Sequence, residues 1–178
     1  MRSLNGMKRS RNLALALVVA LGGGCRKPAP PPATSTTLPG LPAQAQPKLQ
    51  SVKLWLGPEE MAAELAATAE QVQTGMMFRT NMAENESMLF DLFYPHRASF
   101  WMPNCPLPLS VAYIDSEGVI EEIHDLQPFN TNSVYSAVDD VRFALETRQG
   151  WFERHNIRTG AVVRTERGSL VETFSGKH

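Results

Sequence analysis

Cysteine is scarce in this chain: Cys25 and Cys105 are the only two in 178 residues. At most one intramolecular disulfide could form, so a disulfide-stapled scaffold is excluded. Long apolar runs are missing too. The longest near the N-terminus, Leu13 to Leu21, has nine residues, whereas a membrane-spanning helix needs about 20. There is no excess of positive charge. The full chain carries a formal charge of −1, and without the four basic residues of its first 24 it carries −5. Such a chain does not attract phosphate backbones, so no nucleic-acid partner is expected. A nucleophile elbow, a paired-histidine metal motif and a phosphate-binding loop are all absent.

What is present begins at the N-terminus. Arg2, Lys8, Arg9 and Arg11 precede the apolar run, and Gly22-Gly23-Gly24 follow it. A basic segment, an apolar segment and small residues make an export signal, here residues 1–24. Cys25 directly after the glycines resembles the bacterial lipobox, although the aliphatic Leu21 stands four positions before the cysteine and not three. Cys25 is therefore the candidate lipidation site, and the membrane the expected partner through that lipid. Arg26 in the following position favours the periplasmic face of an outer membrane. Residues 25–48 read as the anchor and its linker, with seven prolines between 26 and 48. A stretch so poor in apolar surface is expected to be disordered or polyproline-like. It would reach about 70 Å at ~3.1 Å per residue.

Residues 49–178 form the folded domain. Val52 to Leu56 reads as a strand closed by the Gly57-Pro58 turn, and Met61 to Ala67 is compatible with helix or strand. Thr68-Ala69-Glu70-Gln71 matches a capping box, predicting a helix from about Ala69 to Met77. Gly75 within it weakens a helix by about 1 kcal/mol relative to alanine, which implies a backbone or packing reason for it. Met88 to Phe93, Ala98 to Met102, Val111 to Ile114 and Val141 to Thr147 read as strands. Asp115 to Gly118 is a hairpin turn, and residues 125–140 a polar loop. Gly150 to Asn156 suits a short helix. Ala161 to Thr165 and Ser169 to Phe174 suggest a last hairpin. The expected class is α+β: a β-rich, small single domain, barrel-like, with two short helices.

Several motifs, in order, resemble a known family. Gly75-Met76-Met77-Phe78-Arg79, Met88-Leu89-Phe90, Phe100-Trp101-Met102, Asn104 and Pro108-Leu109 are similar to the domain of unknown function 192. Ile114-Asp115 with Gly118-Val119, and Ala144-Leu145-Glu146 with Gly150 and Gly160, extend the resemblance over roughly residues 52 to 165. It implies a small β-rich domain, often exported and often lipid-anchored, and the family carries no established activity. Met76, Ser87, Pro103, Cys105 and Ser110 depart from the pattern. Ser110 replaces the aspartate of P-L-D, which would have been the motif's candidate acid, base or metal ligand.

Three residues are candidates for ligand binding: Arg79, Trp101 and Asn104. The Arg79 guanidinium is a fixed fork for an anion; the alternative is an ion pair to Glu146 or Asp91. Trp101 offers a stacking face, or is core. Asn104 is a pocket-floor amide, or bonds its own turn. The leading reading is a tethered envelope binding or accessory module for a small anionic or sugar-like ligand or a protein partner, with no cofactor and no catalytic residue. Two alternatives use other residues. Cys105 with His96, His124 or His155 could form a thiol-dependent hydrolase. Cys105 with the methionines could hold Cu(I), although Met76, Met77, Met88 and Met102 are flanked by Phe or Leu as core residues are.

Overall fold

The computed structural model describes residues 40–174. The expected export signal, Cys25 and the first part of the linker lie outside the described residues. Residues 40–48, assigned to the linker from composition, run beside the first helix. The Gln46 amide donates to the carbonyls of Gln71 and Gly75 at 3.2 and 2.9 Å.

Ten strands and three short helices make up the described chain. β1 (Ser51–Leu56) and β2 (Glu59–Ala66) form a hairpin about Gly57. The ambiguous segment is thus a strand: its burial alternates, and its backbone pairs on both sides. α1 (Ala69–Thr74) then carries the chain to β3 (Glu86–His96), which lies parallel to β2. A parallel neighbour needs such a crossover, because a tight turn can join only antiparallel strands. The capping box forms as read: Thr68 Oγ1 accepts from the Gln71 N–H, and Gln71 Oε1 accepts from the Thr68 N–H, each at 3.2 Å. The helix stops at Thr74, short of the expected Met77, because Gly75 turns to φ 45°.

β4 (Ser99–Phe100) pairs with β7 (Val134–Tyr135) in a separate ribbon. β5 (Leu109–Ile114) and β6 (Ile120–Leu126) form the expected hairpin, and β8 (Val141–Arg148) lies between β5 and β3. α2 (Trp151–Arg154), β9 (Val163–Thr165), β10 (Gly168–Ser169) and α3 (Leu170–Phe174) complete the chain. The main sheet runs β10-β9-β1-β2-β3-β8-β5-β6.

Two expectations need correction. The sheet is not closed into a barrel. Its outer parts approach at one isolated bridge, Val119 with Val162, and a single bridge does not continue a ladder. There are also three helices, not two, because residues 170–174 are helical. Ser169 Oγ accepts from the Glu172 N–H at 3.2 Å, and Glu172 Oε2 accepts from the Ser169 N–H at 2.8 Å. That second capping box overrides the β-propensity of Val171, Thr173 and Phe174.

Strand side chains alternate between faces, so paired residues share one. Leu89, Ala112, Ile114, Phe143 and Leu145 project to one side, where Trp151, Phe152 and Phe174 cover them. Met88, Phe90, Val111, Tyr113 and Ala144 project to the other, against Met76, Met102 and Cys105. On that second face one row reads Glu64, Met88, Glu146, Val111, His124 across five strands. Glu146 therefore stands between Met88 and Val111, two neighbours that offer it no strong polar partner.

Candidate functional site

Three loops are laced over the second face by backbone hydrogen bonds. Phe78 N–H donates to Asn104 O at 2.7 Å, Phe129 N–H to Cys105 O at 3.1 Å, and Met102 N–H to Asn130 O at 2.8 Å. Phe78, Asn104 and Phe129 all have positive φ, between 56° and 61°. Asparagine adopts this conformation readily, whereas phenylalanine does so against steric resistance. The lacing holds them there.

Between these loops and the sheet lies a cavity of about 390 Å³. The end of α1 and the Gly75-Met76-Met77 turn form one wall. Phe90, Leu92 and His96 of β3 form another, the 97–102 segment with Cys105 a third, and Glu146 of β8 reaches it from the sheet. Gly75 is required here on two counts. Its φ is left-handed, and a Cβ would stand 3.3 Å from two ring carbons of Phe90. Phe90 in turn meets Phe100 edge-on, ring centroids 5.0 Å apart, and Phe100 leans on Tyr113 at 5.9 Å.

Glu146 is the chemically distinctive group. It is 4% exposed, and its Oε2 has no hydrogen-bond partner among the described residues. Burial alone pushes its pKa up to about 8, so it holds its proton at neutral pH. Beside it, burial and then the Glu146 charge push the Cys105 thiol up to about 12. The same two causes raise the Tyr113 hydroxyl, which donates to Val134 O at 2.5 Å.

The three residues nominated from sequence are not brought together in this cavity. Arg79 makes a two-pronged ion pair with Glu64, at 3.1 and 2.8 Å, and donates to Pro47 O at 3.2 Å. Its partner is neither Glu146 nor Asp91. Asp91 binds Arg142 instead, and Arg79 is not among the cavity's lining residues. Asn104 is a turn residue whose carbonyl anchors Phe78 and whose Nδ2 is buried without a partner. Trp101 lines the cavity and stays 39% exposed. In the sequence Glu146 stands out only as a motif residue after Ala144-Leu145 and as a partner for Arg79. Its signal was parity: an acid two residues from Ala144 lies on the same buried face.

The thiol alternative finds little support. A thiol held near 12 is not a nucleophile at neutral pH. His96 lines the same cavity as Cys105 and its Nδ1 lies 2.8 Å from Tyr94 O, whereas His124 engages Glu122, and His155 engages Glu59 and Glu84. Met76, Met77 and Met102 do share the cavity wall with Cys105. Among the described residues, no group of three or more His, Cys, Asp or Glu is placed to hold a metal ion. Ser110, in place of a carboxylate, donates to Asp125 across the hairpin at 2.5 Å and accepts from the Gly150 N–H at 2.9 Å. The position thus serves the start of α2.

The family model of domain of unknown function 192 (DUF192), described as an uncharacterized ACR, matches residues 53–165. Two solved structures resemble the chain. One, from Sinorhizobium meliloti 1021 and provisionally described as a transcription regulator, is 29% identical, with a TM-score of 0.60; the match covers 65% of this chain and 92% of that one. The other, from Novosphingobium aromaticivorans DSM 12444 and described as a protein of unknown function, is 25% identical, with a TM-score of 0.63; the match covers 77% of this chain and 99% of that one. No curated protein matches.

Proposed function

The chain belongs to the domain of unknown function 192 family, and within that family we propose that it is a binding module, taking a small ligand into the cavity beside Glu146. One observation carries the reading: an unpartnered carboxyl oxygen, buried, at a cavity large enough for a small molecule and walled mainly by apolar side chains. Such cavities with few polar groups are the usual form of small-ligand sites. The Arg79 fork that would have held an anionic ligand is occupied by Glu64. Trp101, half exposed at the rim, remains available to cover a bound ligand.

Native mass spectrometry of the purified full-length protein tests this. A stoichiometric small species should accompany the wild type and be missing from Ala98→Phe, which fills the cavity from its wall. Equal loading of both proteins would place the ligand elsewhere and end the reading.

The same proposal places the module on an envelope membrane through lipid on Cys25. The supports are the basic, apolar and glycine segments that precede this cysteine. Cys25→Ser should move the protein from the membrane to the soluble fraction; unchanged membrane association would remove the anchor.

A further inference from the structure

Four arginines of the described residues are committed to groups other than Glu146. Arg79 is held by Glu64, and Arg142 by Asp91. Arg148 and Arg154 both approach Glu84. Two basic residues line the cavity itself. Arg97 donates from Nε to Ser136 O at 2.9 Å, and its guanidinium lies 5.3 Å from the ring centroid of the exposed Tyr135. His96 Nδ1 is 2.8 Å from Tyr94 O, and its ring packs on Tyr94 at 4.9 Å.

Among the described residues, Glu146 is left as an acid with no cation assigned to it. Its row neighbours Met88 and Val111 supply no strong donor, and Oε2 is unpartnered. A carboxyl so placed is relieved in one of two ways: it keeps its proton, or it receives a positive charge. The remaining wall suits the second. Phe90, Phe100 and Trp101 present aromatic surface, which attracts cations through the ring quadrupole. Met76, Met77 and Met102 add polarizable thioethers. A hard metal ion is a poor fit, since it asks for about six oxygen donors and Glu146 is the one carboxylate among the described residues of the wall.

We infer that the cavity takes a small organic cation of the alkylammonium class: Glu146 releases its proton to solvent as the ligand enters, and the carboxylate then faces the ligand's charge while the aromatic and methionine wall faces its alkyl groups. This inference rests on the binding-module reading of the same cavity and adds the sign of the ligand's charge.

Calorimetric titration of the full-length protein tests it with two probes of one shape: choline, and its uncharged isostere 3,3-dimethyl-1-butanol. Choline should bind at least tenfold more tightly than the alcohol. Glu146→Gln should weaken choline at least tenfold and remove its preference over the alcohol. Glu146→Asp, which keeps the acid, should retain part of the preference. Near-ultraviolet circular dichroism verifies that each variant is folded. Equal binding of both probes, or binding of the alcohol alone, overturns the cationic assignment and leaves the binding module standing. If neither probe binds, the cationic assignment is overturned, and the binding module is judged by the Ala98→Phe comparison.

Discussion

On one face of the sheet, Leu54, Leu89, Ile114, Phe143 and Leu145 meet Trp151, Phe152 and Phe174, with Met61 the one methionine among them. On the other, Met76, Met82, Met88, Met102 and Cys105 pack with Phe90 and Tyr113. The first set is stiff. Branched and aromatic side chains have few rotamers and interlock into one arrangement. The second is pliant, because unbranched thioethers adjust to irregular space. The cavity and the unpartnered acid lie on the pliant side. The contrast separates two duties: one face specifies the fold, and the other tolerates an opening.

The largest expected effect tests the acid. Glu146 has a folded-state pKa raised to about 8 from the ordinary 4.5. A raised acid pKa means that the folded protein holds a proton the unfolded chain has released. The contribution of this group to stability is then greatest below about pH 4.5 and is lost progressively until about pH 8. The loss is on the order of 5 kcal/mol by linkage. Glu146→Gln, neutral throughout, should escape that decline. Urea denaturation from pH 4 to 9 measures it: the gap between variant and wild type should widen across this window. The Cys105 thiol stays protonated throughout, and His96 is common to both proteins. Parallel curves would mean that Glu146 is solvated, and the contrast between faces would lose its sharpest element.

Next in size is a pair of neighbours. Leu89 and Met88 are both buried and adjacent on β3, yet face opposite ways. Leu89→Ala should cost about 3 to 4 kcal/mol, within the range for rigid core sites. Met88→Ala should cost about 2 kcal/mol, because the surrounding methionines relax into the space. Equal losses, read from denaturation midpoints, would erase the distinction between stiff and pliant packing.

Gly75→Ala should have the smallest effect on stability, about 1 to 2 kcal/mol, from its left-handed φ and the contact with Phe90. It should still reduce occupancy of the cavity, since the displaced ring forms part of its wall. A variant that binds as the wild type does would detach this turn from the site.

Local signals in the sequence proved readable, and non-local ones did not. The Thr68–Gln71 capping box and the Asp115–Gly118 turn are decided within a few residues, and both formed: Gly118 N–H donates to Asp115 O at 3.3 Å. The Ser169–Glu172 box is equally local, but residues 169–174 read as one arm of a hairpin. The fate of Arg79 was not legible. Glu64, Glu146 and Asp91 are all acids on central strands, and only the register places Glu64 within its reach. The cavity was harder still, because Gly75, Phe90, Trp101 and Glu146 come from four separate stretches and converge only when the loops are laced.

The pairing of β1 with β9 has a temporal meaning. β1 begins at Ser51, yet the strand that covers its second edge runs from Val163 to Thr165. During synthesis that edge therefore waits, unpaired, for more than a hundred residues of chain to emerge. Open strand edges are templates for unwanted association, and such long-range pairing is slow to form. The nascent protein thus passes most of its synthesis unable to complete its sheet, and loss of the last few strands would leave that edge permanently exposed.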